Sequence, residues 1–497
     1  MKPTKRLLLL TLCAVLTFTM NIHAFAAGAA YDKVTFAYAT FNNIPSEEAL
    51  AEVEEAINQI TREKIGAEVE LVPIVIWDYS SQVSLALQGG EKLDVFQSLG
   101  DFNTAVSTGM CVDITDMLDS LAPESKALIG DAWLAASSHE GRIYGIPTFK
   151  PIALTPMVIY RKDIAEAMGL DMSAVNSVND VTEILRKVKA AYPDMTPLAA
   201  VNTGNIGVGL TVPDVDYLTD NYFSPKGVLM NDELKVVDFY ASEEFAAVCG
   251  LARTWYNEGL VMQDAATTAS AAAELMSSGK YFCYIASYSY PEADTAASLE
   301  AVTGGYPIGA KIIGTAFLDT SSINALTWMV SSTSKVPEAA LKFLNLTFTD
   351  KEVVNLIIYG LEGRDYVWNT DGTVRYPDGN DSTTVPYTSQ LSCGTLGNFF
   401  IMHPMQGTNP ASLDWELEQN KNAKTSVAMG FTFDSSPVKT EYTAVINVIE
   451  QFLPGLICGS ADPVTEIPLF LERLGEAGLG EIISQKQAQL DAWLAKK

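Results

Sequence analysis

The sequence predicts an α/β protein built as two lobes. Three observations lead there: strand-like and helix-like periodicities alternate from residue 34 onward, two extended mid-chain runs suit crossings between halves, and 497 residues exceed what one hydrophobic core ordinarily serves. Apolar residues make up 48% of the chain, ample for two cores.

The elements follow in order. Residues 34–38 read as a strand, and Ser46 with Glu47 and Glu48 opens a helix whose Leu50, Val53, Ile57 and Ile60 share one face before Gly66 ends it. Residues 69–73 give a second strand, about 79–88 a helix stopped by Gly89-Gly90, and 93–97 a third strand. Such β-α-β-α-β alternation predicts a parallel sheet whose ligands meet the loops at the C-terminal strand ends. Trp77, Asp78 and Tyr79, and the segment holding Gln97, Ser98 and Asp101, occupy those loops. Residues 152–160 read as a crossing, followed by a second α/β region with helices near 180–192, 243–257 and 270–278 and a strand at 281–286. The glycine-rich run 304–316 suits a return crossing, 324–331 is strand-like, and Pro337 stands in the first turn of the next helix. Residues 368–408 are irregular; from Leu413 the chain is largely helical, with Ile482, Ile483, Leu490, Trp493 and Leu494 on a packed face.

Residues 1–26 read as an export signal peptide: Lys2, Lys5 and Arg6 precede an apolar run from Leu7 to Met20, and Ala24-Phe25-Ala26 offers a cleavage site. The run contains three threonines and falls short of the ~20 residues that span a bilayer, which disfavours a retained anchor. No later stretch is long and apolar enough to insert in a membrane, so the mature chain is expected to be soluble and extracytoplasmic. Leu12 before Cys13 disfavours lipidation, which wants a small residue there. The formal charge of −28 excludes nucleic acid, whose binding requires phosphate neutralisation by Lys and Arg. The five cysteines after the signal are odd in number and widely spaced without a CxxC pair, so neither a disulfide scaffold nor a zinc site is expected.

Motifs for covalent chemistry are missing. His139 and His403 stand in no metal or nucleophile pattern, and GxSxG, HExxH, P-loop and strand-borne GxGxxG sequences are absent, so no cofactor or metal is expected. Asn369-Thr370-Asp371-Gly372 reads as a plain turn. Paired carboxylates keep a secreted carbohydrate-active enzyme open, because their spacing is set in three dimensions; a peptide-binding or adhesion protein is a further alternative. Aromatic residues beside polar ones stand out in the predicted loops: Trp77-Asp78-Tyr79, Tyr222-Phe223, Tyr288-Ser289-Tyr290, Asn398-Phe399-Phe400 and Trp415. Sugars present apolar ring faces edged with hydroxyls, and this pairing suits them. Trp255 and Trp328 lie in apolar periodic segments and read as core.

With these segments in view, the chain resembles the extracellular solute-binding proteins of family 1, the receptors of sugar-importing ABC transporters. The resemblance rests on Gly90-Glu91-Lys92-Leu93-Asp94-Val95, on Gly145-Ile146-Pro147 followed by Tyr160-Arg161-Lys162-Asp163, and on the run from Ser334 to Leu344. Tyr359 to Val367, Gly430-Phe431 through Asp434, Pro437 to Glu441 and Gln485 to Trp493 resemble the lipoprotein-type subfamily with a C-terminal domain of unknown function. The chain lacks that subfamily's lipobox, which suggests a free periplasmic receptor. The resemblance implies a type II periplasmic-binding-protein-like fold with discontinuous lobes, 27–152 with 315–355 and 153–314 with 356–497, the last part helical. It implies a monomer that takes a carbohydrate ligand, closes by a hinge and docks on permease subunits, without catalysis. In the implied site Asp78, Asp101, Glu362, Arg364 and Lys439 supply hydrogen bonds and Trp77, Tyr79, Tyr288 and Phe399 supply stacking, with Gln97 and Ser98 on the first-lobe contact segment.

Overall fold

The computed structural model describes residues 31–200, 212–220 and 224–496; the signal read over 1–26 and the pair Tyr222-Phe223 lie outside the described residues. Two sheets organise the chain. Their strands are β1 (Asp32–Thr40), β2 (Ala67–Val75), β3 (Val95–Gln97), β4 (Ile146–Pro147), β5 (Thr155–Arg161), β6 (Thr196–Leu198), β7 (Tyr281–Tyr288), β8 (Ile308–Ile312) and β9 (Thr327–Val330). The first sheet runs β2-β1-β3-β9-β4, with β1 parallel to β2 and β3 and with β9 antiparallel to its neighbours. The second runs β8-β5-β7-β6, with β5 antiparallel to β7 and β8. This is the two-lobed type II arrangement expected from the sequence.

Local chemistry sets the helices. In α1 (Glu47–Ile65) the Ser46 hydroxyl accepts the Ala49 amide, two glutamates occupy the first turn, and Arg62 and Lys64 occupy the last. Gly66 then turns the chain at φ 66°, a left-handed conformation that favours glycine. Ala49, Val53 and Ile57 bury one face on the sheet, where Phe36 stacks on the fully buried Trp328 at 4.6 Å between ring centroids. In the second lobe α3 (Val178–Ala191) and α4 (Glu243–Asn257) meet around Trp255, whose indole N–H donates to Thr182 Oγ1 at 3.0 Å. Earlier in the chain, α2 (Ile76–Gly89) follows β2 in the first lobe.

Two expected crossings prove to be strands. Residues 155–161 form β5 in the middle of the second sheet, and 308–312 form its edge strand β8, so the crossings are the shorter segments after β4 and after β8. Extended runs of apolar residues look alike whether they bridge lobes or pair in a sheet. The expected boundary at 356 also differs from the packing. After α5 (Pro337–Thr349) and α6 (Lys351–Tyr359), the buried Tyr366, Val374, Tyr387, Leu391 and Met402 share the first lobe's core with Phe36 and Val95. The chain returns to the second lobe only after Met402, through α7 (Ser412–Asn422) and then α8 (Lys439–Ile457), α9 (Pro463–Glu476) and α10 (Leu479–Leu494). At the junction Phe317–Leu318 pairs in parallel with Lys424–Thr425, and Ala136, Leu318, Ile323 and Met429 form a small apolar cluster of their own.

Candidate functional site

The C-terminal ends of β1, β2 and β3 define one edge of the first lobe. Thr40 pairs with Val75, so the residues just beyond them, Phe41 and Trp77, follow neighbouring strand ends. Trp77 is 86% exposed and Phe41 44%. Helix α2 explains the tryptophan: Tyr79, Val83 and Leu87 face the core, and a position two residues from Tyr79 lies about 200° around the helix. Asp78 and Asp101 are exposed on the same edge, Asp101 accepting a 2.7 Å hydrogen bond from Thr104 Oγ1.

Three expected contacts on this edge are closed off. Tyr79 is 1% exposed, its hydroxyl donating to Ala37 O at 3.1 Å and accepting from Gln97 N at 2.8 Å, because α2 begins three residues before the expected start and turns this ring inward. Gln97 and Ser98 are both buried, Gln97 beneath the segment 390–397 and Ser98 against Thr327. Thr395 O accepts from Gln97 Nε2 at 2.6 Å, and Ser98 Oγ accepts from Thr327 N. That segment was unremarkable in sequence. Gln390 Oε1 accepts from Thr40 Oγ1, Phe41 N and Asn42 N at 2.8 to 3.0 Å, fixing it along the strand ends. Its far end pairs with the first crossing, through Phe149 N to Gly397 O and Phe399 N to Phe149 O, each 2.8 Å.

Lys150, next on that crossing, lays its stem against Gly394 of the same segment. Burial pushes its ammonium down from the ordinary lysine range. On the second-lobe side Tyr288 ends β7 opposite Thr155, its hydroxyl 2.8 Å from that of Tyr284. Ser289 donates to Glu416 Oε1 at 3.2 Å. Glu416 is 1% exposed, its Oε2 has no partner, and burial pushes its carboxyl up to about 7. One turn along α7, Asn420 clasps the crossing: its Oδ1 accepts from Ile152 N and Ala153 N and its Nδ2 donates to Lys150 O.

The remaining expected residues lie apart. Arg364 commits its guanidinium to Asp365, Glu52 and Ala49 O on the flank of α1, with Glu362 exposed nearby. Phe399 is half-buried, edge-on to Phe400 at 5.6 Å. Lys439 opens α8 and lines a shallow recess of about 490 Å³ with Thr440, Thr443, Ala444 and Asn447. A second recess, about 350 Å³, is lined by residues from Met230 to Glu244. Neither recess has an aromatic lining residue. The structure therefore gathers Trp77, Asp78 and Asp101 on one edge and Tyr288 on the other lobe. It adds Phe41, Lys150 and Glu416, for which the sequence carries no signal. Among the described residues no group of three or more His, Cys, Asp or Glu is placed to hold a metal ion.

Residues 44–353 match the bacterial extracellular solute-binding proteins. The chain belongs to this family. Residues 427–495 match a domain of unknown function, the C-terminal domain the sequence led us to expect. The chain is 24% identical over 444 residues to a carbohydrate ABC transporter substrate-binding protein of Streptococcus pneumoniae, covering 88% of this chain and 87% of that one. Its fold is similar to that of the N-glycan transport solute binding protein of S. pneumoniae (TM-score 0.76, 23% identity, 93% and 99% of the two chains). It is also similar to a solute-binding protein from Bifidobacterium longum infantis that binds HMO (TM-score 0.62, 15% identity, 93% and 99%). These relatives are binding proteins of transport systems, which fits the extracellular family and the lack of any helix, among the described residues, long and apolar enough to cross a membrane.

Proposed function

We propose that this protein is the receptor of an ABC importer, which captures an extracytoplasmic oligosaccharide between its lobes and delivers it intact to a membrane permease. The observation that carries the ligand class is Trp77, whose ring, 86% exposed at a sheet's C-terminal edge, offers a flat aromatic face for stacking. A pyranose face suits that surface, with Phe41 at the end of the neighbouring strand and the carboxylates of Asp78 and Asp101 available to ring hydroxyls. The relatives, whose names refer to carbohydrate, N-glycan and HMO, support the same class.

The working cycle needs no bond-making step. Contacts from Trp77 on one lobe and Tyr288 on the other exist together only when the lobes approach, so the ligand favours the closed form by its differential affinity for it. Affinity must also permit release; micromolar binding, roughly −8 kcal/mol, suffices. The protein acts outside the cytoplasm as a monomer.

A thermal-shift screen against a broad glycan library tests the reading. A saturable rise in Tm with an oligosaccharide is expected, and Tyr288→Ala reduces it. A rise with peptides or polyols alone, or the appearance of new reducing ends during incubation, contradicts it.

A further inference from the structure

In a chain with 60 acidic and 32 basic residues, Lys150, Lys226 and Lys486 are the described lysines that burial pushes below the ordinary range, and of these three Lys150 alone has no acidic partner. Among the described residues its ammonium has neither a hydrogen-bond acceptor nor a carboxylate within ion-pair distance, whereas Lys64, Lys126, Lys226, Lys424 and Lys486 all have acidic partners. Segments 1–30, 201–211 and 221–223 contain no Asp or Glu that could serve. Partly burying an unpaired cation is costly.

Its position gives that cost a use. The stem rests on Gly394 of the segment that runs along the first lobe's strand ends, and its backbone carbonyl is held by Asn420 from α7, so the residue sits on the crossing between the two lobes. A Cβ at Gly394 would come within 3.0 Å of Lys150 Cδ, which shows how closely the stem is seated. An ammonium so placed and so unpaired is preorganised for an anion that arrives with the ligand.

We propose that Lys150 is the charge-reading contact of the cleft and that the preferred glycan carries a carboxylate, as uronic and sialic acid residues do. The inference rests on the glycan-receptor reading above. The carboxylate forms a charge-assisted hydrogen bond with Lys150 Nζ, replacing water around an ammonium that burial has already partly dehydrated. The acidic protein surface does not forbid this, since the local field at the hinge decides.

The test is a calorimetric titration of the mature protein with oligosaccharides bearing glucuronate, galacturonate or sialate, each beside its carboxyl-reduced counterpart. The expected result is a preference of about tenfold or more for the acidic member of at least one pair, weakened by added salt. Lys150→Met abolishes that preference, and Lys150→Arg retains it. Equal affinity within every pair overturns the inference and leaves the receptor reading standing, as does a preference that survives in Lys150→Met. Failure of every glycan, acidic or neutral, to bind overturns the receptor reading itself and this inference with it. Should Lys150→Met fail to fold, the comparison within the wild-type protein decides alone.

Discussion

Lys486 and Asp220 form a 2.7 Å ion pair closed off from water, their side chains 0% and 1% exposed. Lys486 also donates to Gly227 O at 2.8 Å, Asp220 Oδ2 accepts from Lys226 N at 2.7 Å, and the Tyr442 hydroxyl donates to Asp220 Oδ1. Helices α8 and α10 are thus fastened to the body of the second lobe through one buried carboxylate. Removing one partner of such a pair leaves a buried charge undercompensated.

Lys486→Met should therefore lower stability by about 3 kcal/mol. Urea unfolding monitored by circular dichroism measures it; a loss below about 1 kcal/mol would mean that Lys226 and Tyr442 compensate Asp220 unaided.

Gly397 has φ 40°, and a Cβ there would lie 2.0 Å from Thr347 O, a backbone atom that cannot step aside. Gly397→Ala should cost about 2 kcal/mol or more and displace the segment that covers Gln97. Faster amide exchange at Phe149 and Phe399, whose hydrogen bonds join that segment to the crossing, is the specific sign.

Glu416 gives a pH dependence with a definite sign. Burial pushes its folded-state carboxyl up to about 7, above the unfolded value, so the folded state holds the extra proton and stability declines as pH rises toward 7. His403, which burial pushes down to about 4, acts oppositely: the unfolded state holds more protons, and stability rises with pH between about 4 and 6.5. Glu416→Gln separates the two. Relative to the wild type it should gain Tm at pH 8 and lose that gain near pH 4; an equal difference at both pH values would show that Glu416 does not titrate in this window.

Trp77 makes the opposite kind of prediction. Exposed as it is, Trp77→Ala should change folding stability by no more than about 0.5 kcal/mol while weakening glycan binding about tenfold or more. Calorimetry read beside a melting curve checks both, and unchanged affinity would remove this ring from the site.

Much of the fold was legible because local chemistry and packing agree. Ser46 capping α1, Gly66 and Gly90 ending helices with positive φ, and Pro337 opening α5 are all read from single positions. Periodicity could not say which core a segment joins, so Tyr366 to Met402 was assigned to the wrong lobe, and 155–161, the centre of a sheet, looked like a link. Among the candidate residues, Trp77 was legible as an aromatic beside an acid, although it lies in the first turn of α2 rather than in a loop. Tyr79 was not distinguishable from it, since one helical offset decides which ring faces water. Lys150 left no trace in sequence because its defining property, a missing counter-ion, exists only after folding brings distant segments together.

Small-angle X-ray scattering of the mature protein, titrated with an oligosaccharide that raises its Tm, tests the clamp most directly. A smaller radius of gyration is expected at saturation, returning to its starting value when the glycan is dialysed away intact. An identical scattering profile with and without a demonstrably bound glycan would contradict it.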